Sequence, residues 1–319
     1  MAGAFGGAAG GLEATADRSS PAVLAGMTVV APGLAGPVAL AEKGLGLEVL
    51  DEAGLGGAEA EALGAPALSG ARSVVVGSRA HPIGTLRYVE APHARRVAPL
   101  RRRGWAAAEV LVDDADAADG RLESLGLDGV QRLRPPAPLA SGRRSLRAAQ
   151  WVGAAGEVLY CTEVSGTVDG FQLPRSGSMP PHVFAAVLAS ADLERSRAEL
   201  ARALGSSVAS DHPVAVGVLN DAYGLPPGTT HRISSLQLAG PGLVEVDQHP
   251  LALGPPMATD GSEAGFVAAT FLVATPDGGL PGQWWAAPAA VQRVPAAGAV
   301  VLLAGGPTSA DPPGSAVSP

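Results

Sequence analysis

Cysteine is nearly absent. Cys161 is the single one in 319 residues, so neither an internal disulfide nor a cysteine-based zinc site can hold the fold, which must rest on apolar burial. That fits a reducing cytoplasm, the expected location. Lysine is equally scarce: Lys43 stands alone among 22 basic residues, and with 30 acidic residues the net charge is −8. Nucleic-acid binding needs clustered cations to displace phosphate counterions, so a small molecule is expected as partner and nucleic acid is not. Long hydrophobic runs are missing too. The longest lies around 296–304, too short to span a bilayer, and no cationic segment precedes Arg18, the first basic residue; neither a membrane span nor a secretory leader is expected.

What the chain does have is glycine (43) and proline (28), a content just below the level at which composition alone suggests low complexity. Residues 1–20 and 305–319 are dominated by Gly, Ala, Ser and Pro and read as flexible tails. Between them one unit recurs: a short apolar strand, an amphipathic helix closed by Gly, then strands separated by turns. The first copy runs GMTVVAPGL, AGPVALAEKGLG, LEVLDEAG, ARSVVVGSR and GTLRYVEAP. The second runs GWAAAEVLVDDADAADGRLESLG, VQRLRPPA, LRAAQWVG and EVLYCTEV. The third begins HVFAAVLASADLERSRAELARALG, where Asp192 suits an N-cap, Leu193, Leu200 and Leu204 share a face and Gly205 is the stop. It continues through HRISSLQLAG and LVEVDQHP, with an insert, AVGVLNDAYG, that reads as an extra helical turn. The fourth is degraded: GFVAATFLVATPDG opens it, but GGLPGQWWAAPAA stands where a helix is expected.

Four βαβββ units in two pairs resemble the glyoxalase/bleomycin-resistance/extradiol-dioxygenase (vicinal oxygen chelate) superfamily in its two-domain form. The strings GWAAAEVLVDDADAADGRL, GAAGEVLYCTEV and AVLASADLERSRAEL, in that order, carry the resemblance over roughly residues 22–304. It implies an α+β fold in which each pair of units forms a half-open β-sheet cup. The expected division is a first paired domain at 21–166, a Gly/Pro/Ser-rich linker at 167–181 and a second, degraded domain at 182–304.

In metal-dependent members the first and last strands of each paired unit supply the ligands. Those positions here are Gly26, Ala107, Arg87 and Tyr160 in the first pair, and Ala185, Thr270, Glu245 and Leu302 in the second. A divalent ion needs His, carboxylate or thiolate donors at three or four of them, and only Glu245 qualifies. A one-residue shift of register would present Glu90 or Glu163 instead. No cofactor is therefore expected; the alternative is a divalent metal ion, with Glu245 and His231 as the fallback ligands and Asp247 and His249 nearby.

Period-two alternation puts Trp105, Ala107, Glu109 and Leu111 on one strand face, so Glu109 points into the cup. A carboxyl among apolar neighbours has its pKa raised and can serve as general base or acid. Glu109, Tyr160 and Arg87 are the candidate catalytic residues, Arg87 as a fixed cation for a carboxylate or enolate; Trp105, Gln150 and Tyr88 are the candidate substrate-binding residues. The competing reading is that Arg87 and Glu109 form a structural buried pair. The arginines at 95, 96 and 101–103 read as a solvated connector rather than an anion patch. Ser210, Asp211 and His212 are sequence neighbours on a loop, without a G-x-S-x-G elbow, and do not make a hydrolase triad. The expected function is a metal-independent lyase- or isomerase-type enzyme acting by proton transfer on an apolar or aromatic carbonyl compound, in specialised metabolism, as monomer or homodimer. Two alternatives are a ligand-sequestering protein of the antibiotic-resistance type and a metal-dependent glyoxalase or dioxygenase.

Overall fold

The computed structural model describes residues 22–139, 145–168, 170–250, 254–273, 285, 291–296 and 299–304. The tails and the GGLPGQWWAAPAA segment, apart from Trp285, lie outside them. The first unit comprises β1 (Val23–Ala31), α1 (Ala35–Ala39) continuing as a π-helical turn over Leu40–Leu45, β2 (Glu48–Gly54), α2 (Gly57–Leu63), β3 (Arg72–Ser78) and β4 (His81–Glu90). After β5 (Arg95–Arg96) the second unit brings β6 (Gly104–Leu111), α3 (Ala115–Leu125), β7 (Gln131–Pro138), β8 (Leu146–Val152) and β9 (Val158–Val164). The third has β10 (Val183–Ser190), α4 (Leu193–Leu204), β11 (Ser207–Ala215), α5 (Gly217–Tyr223), β12 (Thr230–Gln237) and β13 (Leu243–Gln248). The fourth supplies β14 (Glu263–Leu272), β15 (Val291–Ala296) and β16 (Ala299–Ala304), one strand fewer than its fellows among the described residues.

Local signals explain the helices. Asp114 and Asp192 each cap the helix that follows, accepting from Ala117 N at 2.9 Å and Arg195 N at 3.1 Å, and left-handed Gly126 and Gly205 end α3 and α4. Leu193, Leu200 and Leu204 are buried, as their spacing predicts. The AVGVLNDAYG insert is α5. The segment from Ser207 is a strand, not the expected loop, because β11 completes the sheet against β12 over eight register pairs. No helix among the described residues is long and apolar enough to cross a membrane.

The strands form two eight-stranded sheets. One runs β15-β16-β14-β1-β4-β3-β2, with β5 added beside β14; the other runs β11-β12-β13-β10-β6-β9-β8-β7. The units therefore pair first with fourth and second with third, through antiparallel contacts of opening strands, β1 with β14 and β6 with β10. This corrects the expected grouping of 21–166 against 182–304. Alternation within a strand states which face is buried but carries no information about which opening strands meet, and that choice is made by residues far apart in the chain. The convex faces of both sheets, together with α1, α3 and α4, share one core that includes Met27, Tyr88, Trp105, Leu122, Leu200 and Phe271.

Candidate functional site

The concave face of the second sheet encloses a cavity of about 370 Å³, within the range of small-molecule sites. Register builds its floor. Gln150, Tyr160, Glu109, Ala185 and Leu243 lie side by side across β8, β9, β6, β10 and β13. Along β13 the same face presents Glu245 next, beside Ser235 of β12. Glu109, Gln150, Tyr160, Ser235 and Glu245 all line the cavity. The expected trio Glu109, Tyr160 and Gln150 is thus brought together, joined by Glu245 from a unit that the sequence reading had placed in the other domain.

Glu109 is buried and accepts a hydrogen bond from the Thr162 hydroxyl at 2.8 Å. Burial, helped by the negative charge of Glu245 and opposed by Thr162, pushes its pKa up to about 8. Burial also raises Asp247, which is hydrogen-bonded to Glu245 and feels the Glu109 charge. Tyr160 is raised well above its usual value by burial and then by Asp247, Glu245 and Glu109, so its hydroxyl stays protonated and can donate.

The other expectations fall elsewhere. Arg87 is buried in the first sheet, ion-paired with Glu59 of α2 and donating to the Trp285 carbonyl at 3.2 Å; it does not pair with Glu109 and supplies no cation to the Glu109 floor, because β4 and β6 belong to different sheets. Tyr88, also in the first sheet, donates to Glu157 at 3.0 Å and is sealed in the shared core. Trp105 is turned to the convex side, packing 6.3 Å from Phe271 and donating to Val300 O; a bulge in β6 between Trp105 and Ala107 breaks the alternation that had put them on one face. His231 does not line the cavity. Its Nε2 is 2.7 Å from Asn220 Oδ1 of α5. Glu90 and Glu163 pair with Arg72 and Arg147. The arginine connector is tied down: Arg95 and Arg102 both reach Glu263, and Arg101 bonds Ala222 O and lies over the Tyr223 ring.

The sequence reading missed the walls and mouth. The presumed linker is a wall: Val168, Phe171 and Leu173 line the cavity, the latter two packed in one apolar cluster with Phe184, and the strap is pinned by Gln172 N to Gln237 Oε1 at 2.9 Å and by Gly177 N to Asp113 at 3.0 Å. At the mouth, Arg134 of β7 pairs with Asp221 of α5 at 2.7 Å. The guanidinium lies against Gly217, where an added Cβ would overlap it. Had units two and three been paired, the alternation of β11 to β13 would have pointed to His212, Ser235 and Glu245.

No family model and no curated protein matches the chain. Solved structures do. Glyoxalase I from Zea mays is 13% identical, covering 89% of this chain and 92% of that one with a TM-score of 0.55; a candidate dioxygenase from Bacillus subtilis subsp. subtilis str. 168 is 12% identical, covering 91% and 86%, TM-score 0.55. The chain has the vicinal-oxygen-chelate fold in its two-domain, four-unit form.

That fold implies a divalent metal on the first and last strands of each paired cup, and the residues present do not fit one. In the first sheet the positions hold Gly26, Arg87, Thr270 and Leu302, with the Arg87 guanidinium at the centre in an ion pair. In the second they hold Ala107, Tyr160, Ala185 and Glu245, and Glu109, one strand step from Ala107, is engaged by Thr162. Among the described residues no group of three or more His, Cys, Asp or Glu is placed to hold a metal ion.

Proposed function

We propose that the chain is an enzyme of the vicinal-oxygen-chelate fold that moves a proton on an apolar or aromatic carbonyl compound bound in the cup of units two and three, without a metal. The observation that carries this reading is the placement of Glu109: a buried carboxyl at a cavity floor, poised near neutrality, as a general base at pH 7 to 8 requires. Glu109 takes the proton from the carbon beside the carbonyl. The Tyr160 hydroxyl and the Gln150 amide, its neighbours across β9 and β8, donate to the developing oxyanion in the role expected of Arg87. The raised Tyr160 pKa supports this, since a phenol that resists ionisation remains a donor.

Native mass spectrometry of freshly purified protein identifies any retained compound. Incubating that compound in D₂O with the protein should wash deuterium into the position next to its carbonyl. Glu109→Gln should reduce the exchange by about 10²-fold or more while leaving affinity within a few-fold, and exhaustive EDTA dialysis should leave the rate unchanged. Equal loss of affinity and exchange would make Glu109 a structural group. The apolar walls, including Phe171, Leu173 and Phe184, favour a second reading, sequestration; recovery of the compound chemically unchanged and without deuterium would establish it over catalysis.

A further inference from the structure

Among the described residues the Glu109 carboxyl has one hydrogen-bond donor, the Thr162 hydroxyl, 2.8 Å from Oε2. Oε1 has none, and Glu109 lines the cavity. Strand β9 puts Thr162 in place. It follows Tyr160 on the inward face, pairs across the sheet with Leu111 of β6 and Ala148 of β8, and is fully buried. A β-branched side chain between packed neighbours keeps its rotamer. Its hydroxyl carries a single proton, and the other acceptor in reach, the Tyr160 carbonyl, is 3.5 Å away. The carboxylate, nearer and charged, takes that proton. Thr162 does not line the cavity itself, so its influence on a bound molecule runs through Glu109.

We infer that Thr162 is a positioning residue for the proton transfer: by engaging Oε2 it fixes the plane of the Glu109 carboxyl and leaves Oε1 to face the substrate carbon. The last torsion of a glutamate is broad, and a base free to turn about it would spend much of its time with no lone pair on the C–H bond. The same donation favours the charged form of Glu109 and so opposes the burial that raises it. The titratable groups coupled to Glu109 are Tyr160 of β9 and Glu245 and Asp247 of β13, whereas β8 and β10 bring Gln150 and Ala185. Arg134, His212 and Asp221 line the cavity from β7, β11 and α5, and none of them donates to the carboxyl. The inference deepens the proposed function and rests on Glu109 being its base.

Carboxyl NMR on the full chain reads the contact without any ligand. With glutamate labelled by ¹³C at the side-chain carboxyl, and the Glu109 signal assigned by its loss in Glu109→Gln, the titration is followed from pH 5 to pH 10 in wild type, Thr162→Val and Thr162→Ser. Valine has the shape of threonine without the donor and should raise the Glu109 midpoint by about one pH unit. Serine keeps the hydroxyl and should bring the midpoint to within about 0.3 of wild type. Deuterium exchange into acetophenone in D₂O, at a pH above each protein's midpoint, is the second readout: kcat should fall about fivefold or more in Thr162→Val with KM within about twofold, and return in Thr162→Ser. A role confined to packing would lower the stability of Thr162→Val and move neither the midpoint nor kcat. If valine prevents folding, Thr162→Ala takes its place in both series. An unchanged midpoint, a serine variant that behaves as valine does, or a midpoint that moves with kcat untouched would overturn the inference. If wild type exchanges no deuterium while the midpoint moves as expected, the hold of Thr162 on Glu109 stands and the catalytic reading is what fails.

Discussion

Each sheet carries a seven-residue helix inserted after the second strand of one unit: α2 follows β2, and α5 follows β11. Each ends at a left-handed glycine, Gly64 or Gly224. Their outcomes differ. On the first sheet α2 packs Ala60 and Leu63 against Val89, Ala268 and Leu302, and drives Glu59 onto Arg87, so the concave face is filled. On the second, Val218 and Leu219 of α5 pack against Ala107, Val187 and Tyr160 at one end only, its Asn220 and Asp221 are drawn to His231 and Arg134, and the rest of the cup stays hollow. The same supersecondary unit thus becomes a core or a site according to what its inserted helix presents. An ion pair closes one cup, whereas the other keeps Glu109, Gln150, Tyr160, Ser235 and Glu245 along the floor of an open cavity.

The comparison can be broken first at the plug. Arg87→Ala leaves Glu59 as an uncompensated buried charge and should cost about 3–5 kcal/mol in urea denaturation, while a fold that survives keeps its ligand affinity in the second cup. Replacing both partners, as Arg87→Met with Glu59→Leu, should recover most of that loss. If the single substitution changed ligand affinity instead, the first sheet would have to be reckoned part of the site. Filling the hollow cup is the converse. Ala148 lines the cavity at the edge of the floor, and Ala148→Phe should abolish ligand binding while costing about 1–3 kcal/mol of stability from overpacking.

A pH series sharpens the contrast. Glu109 has a folded pKa of about 8, above the ordinary glutamate value of 4.5, so the folded state holds a proton that the unfolded state releases. Its contribution to stability is fully present below 4.5 and is lost as pH rises through 8. Glu109→Gln should accordingly gain stability over wild type from pH 5 to pH 9 in thermal melts, and the wild-type exchange rate should climb towards pH 8 as the base form appears. A flat difference between the two proteins across that range would mean that Glu109 is solvated. The smallest effect is at the mouth. Gly217→Ala displaces Arg134 from its seat, and because the Arg134–Asp221 pair is half exposed the stability change should stay within about 1 kcal/mol, with a faster ligand off-rate as the readout.

Much of this architecture was legible beforehand. The cap at Asp192, the stop at Gly205, the strands ending near Glu90, Glu163 and Gln248 and the α5 insert follow from interactions within a few residues of each other; alternation turned Glu109 into the cup, and the family resemblance put Tyr160 on its floor. Other features escaped. Glu59 of α2 left no periodic sign of its partnership with Arg87, 28 positions on. The bulge that turns Trp105 away from the cup is a local break in register that composition does not announce. The segment at 167–181 has the look of a linker, yet hydrogen bonds to Gln237 and Asp113 make it a wall.

By itself the sequence determined most of the helices and the opening and closing strands, their order and the inward turn of Glu109, because capping, turn chemistry and hydrophobic period act over a few residues. Only the tertiary structure decided that unit one joins unit four and unit two joins unit three, and with that which cup is plugged and which acids share a floor. The reason is physical: opening strands of similar apolar character are nearly interchangeable as neighbours, and the choice among them is made by packing between residues more than a hundred positions apart, such as Met27 with Ala269 and Trp105 with Val300.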